Sequence, residues 1–282
     1  MPKIDLHCHT TASDGTATPT ELVRQASARG VGVIAVTDHD TIAGVAEARR
    51  AAEDEGVRVI AGIELSTRHG GRELHVLGYF VDTGAPTLTE AVERMRRQRR
   101  ERAQRIVQRL RELGYEMTMG DVEAQAAGDV VARPHIARAL VERGYLRSAR
   151  DAFTSELLAD EGRAWVPRET ISTVEAVDLI RSAGGVAVLA HPGVVHHEGE
   201  PSPPAESVVA ELAGAGLAGL EVDHPDHPPP IRDRLAELAR RYRLVPTGGS
   251  DWHGFPARTL GSWTTSASSL RRLEELAATA GG

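Results

Sequence analysis

Apolar runs that stop abruptly at polar, glycine-rich or proline-rich ends recur along the chain. KIDLH, VGVIAVTDHD, VRVIAGIELS, ELHVLGYF, GGVAVLAHPG, LAGLEVDHPDH and RLVPTGGSDWHG all have this form, which predicts seven buried strands. Helix signals lie between them. Thr18-Pro19-Thr20-Glu21 supplies an N-cap, a proline suited to the first helical position and a capping-box glutamate, with Gly30 as the stop. A second helix passes through Glu47 and Arg50 before the third strand. Strands alternating with helices predict an α/β fold with a mostly parallel sheet, and seven of them suit either a closed barrel or an open doubly wound sheet.

Residues 88–166 break this rhythm. TEAVERMRRQRRERAQRIVQRLRELG reads as one long arginine-rich helix whose apolar stripe is Met95, Ile106, Val107, Leu110 and Leu113, and further helices follow. The expected organisation is a barrel domain, residues 1–87 and 167–282, interrupted by a helical cap domain, residues 88–166. Arginines opposite an apolar stripe are ordinarily a solvated face; the sharper reading is a cap that attracts anions. PSPPAES near position 201 is a short loop, and the tail reads as a surface helix.

With 282 residues the chain can hold one large α/β domain with an insertion or two ordinary domains, and 41% hydrophobic with 26% charged residues is a globular composition. A net charge of -7 argues against a broad basic face for duplex nucleic acid but permits a small anionic substrate or a single-strand end. The single cysteine, Cys8, excludes an internal disulfide framework and a sulfur-rich zinc site, and it reads as a packing residue. No apolar run reaches a signal peptide or the roughly 20 residues of a membrane span, so a soluble, cytoplasmic protein without membrane contact is expected. No oligomeric state is specified.

Six of the twelve histidines, His7, His9, His39, His75, His191 and His253, fall at predicted strand ends or within a strand. The C-terminal ends of parallel strands converge on one face, where residues distant in sequence share a pocket. His7 and His9, two apart in an extended segment, point to the same side and can reach one metal. Asp14, Glu64 and Asp251 complete the set, although Asp14 and Asp251 also suit ordinary turn chemistry. Imidazoles and carboxylates without thiolates suit manganese, zinc or iron. Nine such side chains exceed what one tetrahedral ion uses, which favours two or three divalent ions with Glu64 as a bridge. Asp38 is placed to orient an imidazole or move a proton. A multi-metal site of this kind serves hydrolysis, most naturally of a phosphate ester, without a Ser or Cys nucleophile.

In their order, DLHCHTTASDGTATP, VTDHD, the glutamate of GIELS, ELHVLGY, AHPG, GLEV and GSDWH resemble the PHP family, named for polymerase and histidinol phosphatase domains. The resemblance spans nearly the whole chain. It implies a distorted seven-stranded barrel with a trinuclear centre of manganese, iron or zinc. By the resemblance His7, His9, Glu64 and Asp251 take the first metal, Glu64, His75 and His191 the second, and Asp14, His39 and His253 the third. It puts Asp38, His39, Glu64, His191 and Asp251 in the catalytic machinery.

ARPHIARAL resembles the branch with 3',5'-nucleoside bisphosphate phosphatase and a 5'-3' exoribonuclease acting on 5'-phosphorylated RNA. Arg133 and His135 are therefore expected to hold a substrate phosphate, against the plainer reading of a helix N-terminus beside Pro134. The implied activity is removal of phosphate from a 3',5'-nucleoside bisphosphate, with exonuclease action on short 5'-phosphorylated oligoribonucleotides as the alternative. Many relatives have an arginine after the His-Pro-Gly where this chain has Val194 and Val195, then His196 and His197, so one phosphate contact is expected to be missing or moved. Asp223, His224 and His227 are read as pocket rim. Rivals are an amidohydrolase, disfavoured by the scarcity of lysine for a bridge, and a non-catalytic metal-binding module, disfavoured by the complete donor set. With 4% aromatic residues there is no platform for several bases, though Trp165, Trp252 or Tyr145 could sandwich one.

Overall fold

All seven apolar runs form strands in the computed structural model, which describes residues 2–126, 128, 130–154, 156–159, 161–194 and 202–280. His196 and His197 lie outside them. The strands are β1 (Lys3–Cys8), β2 (Val31–Val36), β3 (Arg58–His69), β4 (Arg72–Tyr79), β5 (Ile171–Ser172), β6 (Val186–Ala190), β7 (Gly219–Asp223) and β8 (Val245–Gly248). They pair in the order β1-β2-β3-β4-β6-β7-β8. The two-residue β5, which the sequence reading missed because so short a strand has no periodicity, pairs with β3.

The sheet is parallel except at β4, which runs against both β3 and β6. The reversal is local: Gly70 and Gly71 take φ of 53° and 87°, the left-handed pair that closes a two-residue hairpin. Closure into a barrel ladder is not observed. The ladder order ends at β1 and β8, and the two ends are joined past β8 by His9 N–H donating to Trp252 O (2.9 Å) and Trp252 N–H to His7 O (3.3 Å).

The helices are α1 (Pro19–Ala28), α2 (Ala43–Glu55), α3 (Pro86–Glu112), α4 (Met119–Glu123), α5 (Arg133–Glu142), α6 (Thr173–Ser182), α7 (Glu206–Gly214), α8 (Pro229–Arg241) and α9 (Ala267–Ala280), with a 3-10 turn at Ala149–Ala152. The Thr18–Glu21 capping box of α1 forms as the sequence predicts. One face of the sheet packs Ile34, Ile63, Leu189 and Leu220 against Val23, Val45, Val177 and Leu235 of the helices. The other packs Leu6, Val33, Leu77 and Val188 against Leu270 and Leu273 of α9. Both faces are buried, which is why the strands read as continuous apolar runs.

The arginine-rich helix α3 joins two cores. Leu88, Val92 and Met95 belong to the sheet's core. Ala103, Ile106, Val107 and Leu110 build a separate apolar cluster with Ile136, Leu140, Leu158 and Val166. Between them the stripe carries a buried arginine: Arg99 Nε donates to Asp40 Oδ2 at 2.7 Å, and Arg168 pairs with the same oxygen. Burial alone raises the Asp40 pKa, but Arg168 and Arg99 overrule it and hold the carboxyl well below its ordinary range. This charge cluster fastens α3 and the segment before β5 to Asp40 beyond the end of β2.

Candidate metal centre and its arginine wall

His7 lies in β1 and His9 just beyond it; His39 follows β2, His191 follows β6, and Asp251 and His253 follow β8. Glu64 is in β3. His75 comes from early in β4, because that strand is reversed: it pairs with Ser66 and Ala190, which puts its beginning level with the ends of its neighbours. All nine predicted donors meet in overlapping groups of atoms within 4.8 Å: His9, Asp14, His39 and His253; His7, His9 and Asp251; His7, Glu64 and His191; His39, Glu64 and His75.

Glu64 is the hub. Its Oε1 accepts from His75 Nδ1 at 2.8 Å and His191 Nε2 at 2.9 Å. Its Oε2 is 2.9 Å from His39 Nδ1, 3.2 Å from His9 Nε2 and 3.3 Å from His7 Nε2. Asp251 Oδ1 faces His9 Nε2 (3.2 Å) and His7 Nε2 (3.4 Å), and Asp14 faces His253 Nε2 (3.4 Å) and His39 Nε2 (4.0 Å).

Short as these contacts are, His7 Nε2, His9 Nε2, His39 Nδ1 and Glu64 Oε2 are buried without a hydrogen-bond partner. Orphaned lone pairs turned toward one point, in a donor set of imidazole and carboxylate, are what divalent cations satisfy. The electrostatics agree. Burial disfavours a charged His7, yet Glu221, Glu64 and Asp251 hold its pKa well above the ordinary value. His9 is likewise pushed up to about 10 by Asp251 and Glu64 against the effect of burial. The nest's carboxylates call for positive charge inside it. The residues therefore fit metal ions.

Several side chains are placed otherwise than the sequence suggests. Asp38 touches Thr10 and Ser13 instead of an imidazole: Oδ1 accepts from Thr10 N (2.7 Å) and Ser13 Oγ (2.6 Å), and Oδ2 from Thr10 Oγ1 (2.8 Å). It shapes the loop between His9 and Asp14. His224 and His227 are buried, not rim. His227 bonds Gly193 N and Val222 O, while His224 Nε2 lies 3.4 Å from Asp251 Oδ2. Asp223 is exposed. His135 is buried with Nδ1 accepting the Ala132 N–H at 3.0 Å, a helix cap, and does not line the cavity above the nest.

Glu221 carries a role that sequence reasoning did not assign. Fully buried at the centre of β7, it accepts from His7 Nδ1 at 3.0 Å and from the His191 amide at 2.7 Å. That fixes the tautomer of His7 and turns Nε2 inward. The available signal was a lone acidic residue within the apolar run GLEV. His191 and Asp251 have φ of 22° and 47°, strained values that the surrounding bonds hold in place. Gly249 is required beside them, since a Cβ there would sit 2.3 Å from His7 Cβ.

A cavity of about 230 Å³ opens above the nest, and its lining combines Asp14, His39, His75, His191, Asp251 and His253 with Arg99, Arg102, Arg133 and Arg168. Burial, with Arg133 and Arg168 nearby, lowers the Arg102 pKa to about 9, the mark of a guanidinium crowded by its own kind. Such a wall favours an anion.

The PHP domain model matches residues 5–157. The chain is 37% identical over 254 residues to a 5'-3' exoribonuclease of Haemophilus influenzae, covering 90% of each protein. It is 37% identical over 257 residues to a phosphoribosyl 1,2-cyclic phosphate 1,2-diphosphodiesterase of Eggerthella lenta, covering 89% of this chain and 94% of that protein. To a 3',5'-nucleoside bisphosphate phosphatase of Chromobacterium violaceum it is 34% identical over 261 residues, with 90% and 88% covered. A solved structure from Bifidobacterium adolescentis, provisionally described as a metal-dependent phosphoesterase, superposes with a TM-score of 0.89 at 36% identity over 97% of this chain and 96% of that one. On the matched motifs, the assembled donors and these likenesses, the chain belongs to the PHP family of metal-dependent phosphoesterases.

Proposed function

We propose that the protein removes one phosphate from a 3',5'-nucleoside bisphosphate, giving the nucleoside 5'-monophosphate and phosphate, with residues 88–166 acting as a helical cap domain over a distorted barrel. The observation that carries this reading is the single cavity whose lining joins a cation-binding nest to four arginines. A substrate with two phosphates uses both kinds of group.

His7, His9, Asp14, His39, Glu64, His75, His191, Asp251 and His253 would hold two or three divalent ions, with manganese the best match to this donor set ahead of iron or zinc. Bound there, such ions supply a water activated for attack and positive charge against the phosphoryl oxygens. The protein's own part is positioning. Glu64 ties five imidazoles to one centre, and Glu221 keeps His7 in the productive tautomer. Arg133, joined by Arg102, binds the phosphate that is not cleaved, a task suited to forked donors. Asp38 contributes by holding the Thr10–Ser13 loop, and His135 by fixing the start of the helix that carries Arg133.

A 5'-3' exonuclease on short 5'-phosphorylated RNA is the second reading, favoured by Arg96, Arg97 and Arg100 of α3, the helix of Arg99 and Arg102, lining a further groove. The deciding experiment loads the protein with manganese and follows phosphate and AMP released from adenosine 3',5'-bisphosphate beside mononucleotides released from a 5'-phosphorylated RNA. Phosphate and AMP from the bisphosphate are expected. Mononucleotide release alone transfers the assignment to the exonuclease, and bound metal with neither product leaves the amidohydrolase or the non-catalytic module.

A further inference from the structure

The insertion places one large apolar side chain where a phosphate pocket has no evident use for it. Phe153 is 40% exposed and lines the cavity beside Arg102, Arg133 and Arg168. It belongs to none of the apolar clusters, although its neighbours do: Ala152, Leu157 and Leu158 are buried in the cap's core. Its backbone is held on both sides, with Phe153 N–H donating to Arg150 O at 3.1 Å and Leu158 N–H to Ala152 O at 2.9 Å. The ring is thus presented to the cavity by a fixed turn. The aromatics that the sequence offered for this task are placed elsewhere. Trp252 is core, and neither Trp165 nor Tyr145 lines the cavity; the Tyr145 hydroxyl instead accepts the Glu116 amide at 2.9 Å.

A phosphate has no use for a phenyl ring, but a nucleobase does, because its flat face stacks on an aromatic one. We propose that Phe153 is the base-stacking, specificity-determining residue of the site, selecting phosphorylated nucleosides over base-free phosphorylated sugars. The proposal rests on the phosphoesterase reading above and adds to it the part of the substrate that the arginines and the metal nest cannot sense.

The test compares wild type, Phe153→Ala and Phe153→Trp as manganese-loaded enzymes on adenosine 3',5'-bisphosphate and a base-free ribose bisphosphate. Calorimetric binding of AMP and of ribose 5-phosphate is measured alongside. Phe153→Ala is expected to lower kcat/KM for the nucleotide roughly 10-fold or more, mainly through KM, and to weaken AMP binding by a similar factor. Turnover of the ribose bisphosphate and binding of ribose 5-phosphate should stay within about twofold, and Phe153→Trp should restore the preference. Equal losses on both kinds of substrate, or none on either, would overturn the assignment. If wild type hydrolyses neither bisphosphate, the parent reading falls, while the difference between AMP and ribose 5-phosphate binding still decides Phe153.

Discussion

Between them the two carboxylate oxygens of Glu64 face five imidazoles, two on Oε1 and three on Oε2. Glu64→Gln keeps the shape but removes the charge that those rings share. Its metal content, measured by atomic emission, should fall, and hydrolysis should drop by more than the roughly 10–100-fold typical of an outer partner. Glu221→Gln tests that outer role. It leaves every proposed ligand in place but removes the charge and one of the two oxygens that accept from His7 Nδ1 and the His191 amide, so manganese affinity measured by chelator competition should weaken by about 10–100-fold. Unchanged affinity would mean that His7 needs no orienting partner. Most of the nine candidate donors were legible because an imidazole or carboxylate near the end of an apolar run leaves a plain local signal, whereas Asp14 lies in a loop and His75 early in its strand. Glu221 and Arg102 were not, because what distinguishes them is their neighbours across the fold.

At the scale of elements, the helices between β4 and β5 depend on two polar devices. Asp40 joins Arg99 of α3 and Arg168 of the returning chain, all buried or nearly so. Asp40→Asn leaves two guanidiniums without their counter-charge, and chemical denaturation should show a loss of about 3–5 kcal/mol. The second device is the His135 cap at the start of α5. Burial and the nearby Arg138 lower its pKa to about 4 from an ordinary 6.5. The unfolded chain therefore binds a proton there between about pH 6.5 and 4 while the folded chain does not. Stability from this residue is complete above that window and is lost as the pH falls through it. His135→Asn keeps an acceptor that does not titrate, so its melting temperature should vary less with pH than wild type across the same interval. Identical pH profiles would show that His135 takes up its proton over the same pH range folded as unfolded. The sequence located α5 and its Arg133, but a histidine three residues past a helix start reads equally as a phosphate ligand or as a cap.

Across the whole molecule, local periodicity gave the strands and their order along the chain, yet it could not give closure. Whether β8 completes a ladder with β1 depends on how twist accumulates over seven strands. Here the two ends meet through a pair of backbone bonds at Trp252. That junction lies between His7, His9 and Asp251, so the sheet's seam and the proposed metal nest are held by the same few residues. Ions held there by His7, His9 and Asp251 would link the two ends of the sheet in the folded state, and no such site exists in the unfolded chain. Manganese at 100 times its dissociation constant should then stabilise the fold by about 2.7 kcal/mol. At roughly 2–4 °C per kcal/mol for a chain of this size, a chelator should lower the melting temperature by about 5–10 °C. Glu64→Gln should show little further change with chelator. If chelation leaves wild type unmoved, either no ion is held at the seam or the two backbone bonds at Trp252 suffice to keep it shut, and metal content measured on the same sample separates these outcomes.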